Sequence, residues 1–381
     1  MDAKGFDAIA RVLIDETTRR QTLGGLLGGA LAALGIGGSW GSEETAAKKK
    51  KKKSCKKRKQ GKKGKNTKRT PCQKPDTPLS PTSPAALSPI CPAPSNATFA
   101  FLRTWGSAGN DNGEFNIPHG IAVAPNGTLY VTDRQNSRIQ HFDAQGSFLN
   151  TWGSFGNGNG QFFNPRGVAI APNGTVYVAD TQNNRIQRFT SQGIFQSTWG
   201  IQGNANGQLD FPVSIAVAPD STVYVADTFN QRIQRFTAGG AYLTQWGSLG
   251  NADGQFDSPY GIAVAPDGSV YVTDRENDRI QRFDAQGAFL GKWGNEGSNT
   301  GQFEFPISVA VAPDSTVYVV DSTNRRIQRF DAQGTFLATW GSEGTSNGQF
   351  DDPFGIAVHP SCAVYVCDGF NYRVQVFQPF A

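Results

Sequence analysis

The chain has 381 residues, 38% of them hydrophobic, and a formal net charge of +5. That figure conceals two unlike parts: 20 Lys+Arg against 7 Asp+Glu before residue 99, and 16 against 24 from there on, or +13 and −8. Bulk charge therefore leaves the acidic part to attract nucleic acid only through a local patch, and a strict internal repeat excludes the two or three independent domains that length alone suggests.

In chain order, residues 1–47 come first. Thr18 to Gly38, TRRQTLGGLLGGALAALGIGG, sets two arginines before a mild apolar stretch containing seven glycines, too short and glycine-rich to span a membrane as a stable helix. With a small-residue exit at Thr45-Ala46-Ala47, the layout is that of a secretory signal; the alternative is an amphipathic helix kept in the mature protein. Arg19-Arg20, with Thr18 before and Leu23 after, resembles the twin-arginine export signal of bacteria, although Thr22 stands where that pattern prefers an aromatic. The resemblance implies an exported protein, extracellular or in the cell envelope of a bacterium.

Residues 48–74 carry 16 basic side chains and no acidic one. Such a run cannot pack a core and predicts a disordered tail that seeks anionic envelope polymer or lipid, or serves only as a solvated spacer. Eight prolines between Pro71 and Pro94 then predict an extended polyproline linker over residues 75–98.

From residue 99 to 381 the chain repeats. Trp105, Trp152, Trp199, Trp246, Trp293 and Trp340 stand 47 residues apart, as do Asp133, Asp180, Asp227, Asp274, Asp321 and Asp368. Within one unit, VAIA, TVYVAD, RIQRF and IFQSTW alternate with APNG, TQNN and TSQG, which predicts four short antiparallel strands joined by tight turns. No window has a helical period of useful length. The fold class expected is therefore all-β, a six-bladed β-propeller in which each sheet packs both faces against its neighbours. The repeat region starts with an outer-strand pattern, FAFLRTW, and ends with a third-strand pattern, YRVQVF, so an N-terminal strand is expected to complete the last blade. The tryptophans are expected in the core, each burying about 150–250 Å².

P-x-G-I-A-V, then G-x-x-Y-V-A-D, then N-x-R-I-Q-x-F resembles the NHL repeat in all six units, over about three quarters of the chain. The resemblance implies the propeller but no single activity. The D-x-x-N-x-R element pairs Asp133 with Arg138, Asp180 with Arg185, Asp227 with Arg232, Asp274 with Arg279, Asp321 with Arg326 and Asp368 with Arg373. A constellation present six times reads as a structural staple. The Gly-rich links, such as GNGNGQF from Gly156 to Phe162, lack the Lys and helix of a phosphate loop and the full acidic ladder of a calcium loop; they read as inter-blade turns.

If the repeat is scaffold, function sits in its departures. The residue after the repeated Pro varies (His119, Arg166, Val213, Tyr260, Ile307, Phe354), and within the D-x-x-N-x-R turns stand Arg134, Phe229, Arg275, Arg325, Phe370 and Tyr372. Both sets belong to connections on one side of an antiparallel blade, and arginine mixed with aromatics has the composition of a binding hot spot. The expected function is a non-catalytic recognition module, a monomer, binding a protein, peptide or glycan through this face, with no catalytic residue, resident metal or cofactor.

Enzymes similar to this family, peptide-amidating and macrocycle-opening lyases, imply an alternative in which His119 works at the channel mouth with a calcium or zinc ion. A catalytic zinc normally takes three protein ligands, and His141 and His359 occupy unrelated positions. Propellers of the same family that bind RNA imply a further alternative, which the acidic charge disfavours. Zinc modules of the ubiquitin-transfer kind need closely spaced Cys and His pairs that are absent here. In an exported protein, five cysteines leave one unpaired. Cys362 and Cys367 stand too far apart along one strand to bridge, and a Cys91–Cys362 disulfide across the ring closure is the expected pairing.

Overall fold

A computed structural model describes residues 97–380. The export-like segment, the basic run, nearly all of the Pro-rich linker and Cys55, Cys72 and Cys91 lie outside the described residues.

Blade 1 shows how the sequence builds each sheet. Its four strands are Pro118–Val123, Leu129–Asp133, Arg138–Phe142 and Phe148–Trp152. At the first reversal Asn126 Oδ1 accepts from Thr128 N–H, and Gly127, at φ +82°, donates to Ala124 O at 2.8 Å, a conformation a side chain would oppose. The second strand is buried on both faces, the third is mostly buried and the fourth is only partly covered. Burial is thus greatest in the second strand and least in the outer one.

Six four-stranded antiparallel sheets result. In the sixth, Thr98–Trp105 is the outer strand, paired antiparallel with Arg373–Phe380 from Thr98 against Phe380 to Trp105 against Val374. The expected closure is present. Tyrosines of the second strands tie neighbouring blades, the hydroxyls of Tyr130, Tyr177, Tyr224 and Tyr271 donating to backbone carbonyls 61 residues ahead at 3.0–3.1 Å, and Tyr365 closing onto Ala144 O at 3.2 Å. At the seam before the last blade that offset falls on Pro379. Phe99 of the closing strand fills the place instead, edge-on to Tyr318 at 5.9 Å and stacked on Trp340 at 4.2 Å.

The tryptophans depart from expectation. All six are half-buried at the ends of outer strands and cap the cores rather than fill them. Full burial goes instead to one side chain per link, Phe115, Phe162, Leu209, Phe256, Phe303 and Phe350.

The aspartate–arginine pairs hold those links. Asp180 Oδ2 accepts from Arg185 Nε at 2.7 Å, Asn183 Nδ2 at 2.9 Å and Gln187 Nε2 at 3.0 Å, while Oδ1 accepts from Phe163 N–H at 2.8 Å. Arg185 donates onward to the carbonyls of Asn157, Gly158 and Gln161, and Gln187 Oε1 accepts from Gly160 N–H. The Arg–Asp distance is 2.7 Å in all six blades and every aspartate is inaccessible. Burial pushes the Asp180 carboxyl up, against the hydrogen bonds and the arginine that hold it down. Charging this site is costly, and the full set of donors offsets the cost.

Removing one partner leaves an uncompensated buried charge. Arg185→Ala is expected to lower unfolding free energy by about 3–5 kcal/mol, measured by urea unfolding of the full chain; a loss under about 1 kcal/mol would show the module to be dispensable.

Candidate binding face

The residue before each repeated Pro adopts the left-handed conformation: Ile117, Asn164, Phe211, Ser258, Phe305 and Asp352, with φ between +47° and +58°. A residue before proline ordinarily prefers extended backbone, so six such turns are set by the surrounding structure. The inner strand starts directly after each. These strands approach closely: a Cβ on Gly120 would stand 2.2 Å from Arg166 O, and one on Gly355 2.3 Å from His119 O. Tight packing of the inner strands brings the residues after the prolines together over the axis.

They close it. Arg166 Nη1 donates to Tyr260 Oη at 2.5 Å, and His119 Nε2 lies 3.3 Å from the same oxygen, which joins blades 1, 2 and 4. The His119 and Phe354 rings stack at 4.8 Å, while Val213 and Ile307 are buried in the same tier. Around this plug the Arg166 guanidinium lies 4.8 Å over Phe211, which stacks on Phe229 at 4.4 Å. Arg275 lies 4.5 Å over Phe305 and 5.9 Å over Tyr260, and Phe370 meets Phe354 edge-on at 6.2 Å.

Expected as a solvent-facing ring of arginine and aromatics, the set divides. His119, Arg134 and Arg166 are buried and belong to the plug. Tyr260 and Phe354 are half-buried, and Phe229 and Phe370 are exposed, at 54% and 42%. The cationic character is largely cancelled on blades 4 to 6. Arg275 pairs with Glu276, and Arg325 pairs with Asp352 at 2.7 Å while donating to Ser322 O. Tyr372 stands apart, lining a shallow groove of about 430 Å³ with Ala108, Gly109, Asn116 and Asn136 between blades 6 and 1.

Burial first, then the nearby charges of Arg166 and Arg134, hold the His119 imidazole well below its usual range, so it is neutral at pH 7. Its charged neighbours are guanidinium groups, an environment that opposes a cation. Among the described residues no group of three or more His, Cys, Asp or Glu could hold a metal ion. A channel calcium or zinc therefore does not fit the side chains at this mouth. His141 stacks on Tyr130 at 4.2 Å, and His359 bonds Ser361, both away from the plug.

Residues with a part in this face that sequence did not single out are Phe211 and Phe305, each with an arginine over its ring, and Asp278. The signal was available: the residue before each Pro varies as much as the one after it, and Asp278 holds the turn position of Arg325 and Tyr372. Burial first, and then the carboxylates of Glu296, Glu276 and Glu304, push Asp278 up to about 6, against a hydrogen bond from Phe305 N–H that lowers it. Cys362 is disulfide-bonded, whereas Cys367 is free and buried; the expected partner, Cys91, lies outside the described residues.

A family model for the NHL repeat matches residues 115–142, 162–189 and 256–283. Among solved structures, a protein of unknown function from Bacteroides thetaiotaomicron is similar with TM-score 0.58 and 16% identity, covering 74% of this chain and 76% of that one. A virginiamycin B lyase from Staphylococcus aureus gives 0.53 and 15%, over 74% and 99%. A gluconolactonase from Xanthomonas campestris gives 0.53 and 14%, over 74% and 90%. At such identities the likeness is one of fold, which hosts more than one chemistry.

The depressed His119 carries a sign. Below its ordinary value of 6.5 the unfolded chain takes up a proton that the folded chain refuses, so stability is present above that pH and is lost as pH falls. Raised carboxylates such as Asp278 act oppositely between their ordinary value and about 6, so the test is a difference. His119→Phe is expected to flatten the decline by up to about 1.4 kcal/mol per pH unit, read from urea unfolding of both proteins across the acid range. Parallel curves would remove the buried neutral imidazole from the account.

Proposed function

We propose that this chain, which carries NHL repeats closed into a six-bladed β-propeller, is a non-catalytic recognition module that holds a protein, peptide or glycan on its plugged face. One observation carries the reading. The Asp-Asn-Arg-Gln module is the same in every blade, whereas the residues flanking the prolines and within the adjoining turns differ from blade to blade and converge on this face. A solid floor of His119, Arg166, Tyr260 and Phe354, flanked by exposed aromatics such as Phe229 and Phe370, suits contact with a surface or a strand better than enclosure of a small molecule. The same reading puts the chain at a bacterial cell envelope, with residues 48–74 against anionic polymer or lipid; this part rests on sequence alone.

Nucleic acid is the less suited ligand, since Arg275 and Arg325 are already matched by carboxylates. A lyase reading draws on a different observation. His119 is held neutral within 3.3 Å of the Tyr260 hydroxyl, which is the protonation state of a general base. It would have to act without a metal on the side chains present.

Phe229 and Phe370 are exposed, so replacing both with serine leaves the fold intact. Immobilised full chain is expected to retain a ligand from envelope extract that the Phe229→Ser/Phe370→Ser protein loses by about tenfold or more. Equal retention by both would place recognition elsewhere.

A further inference from the structure

The face is not uniform around its ring, and the asymmetry goes beyond the Arg and aromatic positions. Each inter-blade link presents one residue beside its isolated bridge into the core: Ala108, Phe155, Gln202, Leu249, Glu296 and Glu343. On the links entering blades 2 and 4 these residues are Phe155 and Leu249, exposed at 66% and 65%, and on the link entering blade 3 the exposed apolar side chain is Ile201 at 66%, next to Gln202. On the links entering blades 5 and 6 they are Glu296 and Glu343, also exposed. Just inside these positions the division continues. Phe155 meets Phe163 edge-on at 5.1 Å, and Phe229 stacks on Phe211, whereas Asp278 sits among Glu296, Glu276 and Glu304 closely enough to be raised by all three. An apolar crescent on blades 2 to 4 thus adjoins an acidic crescent on blades 4 to 6.

Scattered apolar side chains on a soluble surface need no explanation, but large ones on three successive links beside an arc where carboxylates outnumber Arg275 and Arg325 mark a contact surface. Its complement must present apolar side chains and positive charge side by side. We propose that the face docks a basic amphipathic segment of a partner protein, its apolar side chains on Phe155, Ile201, Phe229 and Leu249 and its lysines or arginines on Glu296 and Glu343. This rests on the recognition reading and names the class of ligand. A basic segment would also favour ionised Asp278, so docking strengthens as pH rises through about 6.

The test uses full-length chain and a short fluorescein-labelled peptide alternating lysine with leucine and phenylalanine, read by anisotropy. Two controls replace its apolar residues with serine or its lysines with glutamate. Wild type is expected to bind the first peptide roughly tenfold or more tightly than the serine control. Phe155→Ser/Leu249→Ser is expected to erase that difference, and Glu296→Lys/Glu343→Lys to weaken the lysine peptide while strengthening the glutamate peptide relative to wild type. The exchange is scored between variants, so any contribution of residues 48–74 cancels. All four positions are exposed, and unchanged melting curves certify the folds. Lysine-peptide affinity that neither pair of substitutions alters overturns the proposal. If Phe229→Ser/Phe370→Ser still abolishes ligand retention, the recognition reading survives that failure with another ligand class.

Discussion

A carboxylate with no access to solvent has to be met by donors on every side, and the architecture of this ring follows from meeting it six times. Asp180 and its five equivalents collect an arginine, an asparagine, a glutamine and a backbone amide. The arginine and glutamine then reach on to the link that enters the same blade. Without these acceptors and donors the glycine-rich links would be long loops with nothing to fix their path. With them, each link places a Phe or Leu in the core and ends at a fixed left-handed turn before proline. The buried charge contributes placement more than net stability, which is the role best attested for buried polar networks.

That arrangement separates what is uniform from what can vary. Second and third strands, the four-residue module and the tyrosine bridges are locked together, so substitutions there disturb neighbours on two blades. Residues flanking the prolines emerge from a rigid collar that holds them by backbone groups, as where Ile117 O accepts from Arg134 N–H and Phe305 N–H donates to Asp278 Oδ1. They are free to differ, and His119, Arg166, Tyr260 and Phe354 use that freedom to make a plug from unlike parts. The plug turns a channel into a floor. Contact chemistry consequently moves out to the rim, where apolar and acidic link residues occupy different arcs.

Most of the fold was legible because its signals are local and repeated six times: strand alternation, turn residues, the strict spacing, and an outer-strand pattern displaced to the N-terminus. The partnership of Asp and Arg was legible for the same reason, although the glutamine two residues beyond Arg185 and the grip on the link were not. Neither follows from strand pattern, since both depend on how a link curls back over its own blade. The tryptophans were misplaced because size argues for burial, whereas an outer strand offers only one covered side. The site was half legible. Sequence identified the positions that vary and the side they share, but adjacency around a ring does not say which side chains meet across it. Tyr260 reaching His119 three blades away, and the neutralisation of Arg275 and Arg325, required coordinates.

The closing strand has a consequence for how the chain is made. Thr98–Trp105 is among the first strands to exist, yet its partner Arg373–Phe380 is the last. Five blades can form in order as synthesis proceeds, but the first strand waits until the sixth repeat is made, with its pairing edge open and Phe99 and Phe101 unshielded. Ring closure is the most non-local strand pairing among the described residues and therefore the slow, late one. Completion of the ring thus reports that the sixth repeat has been made.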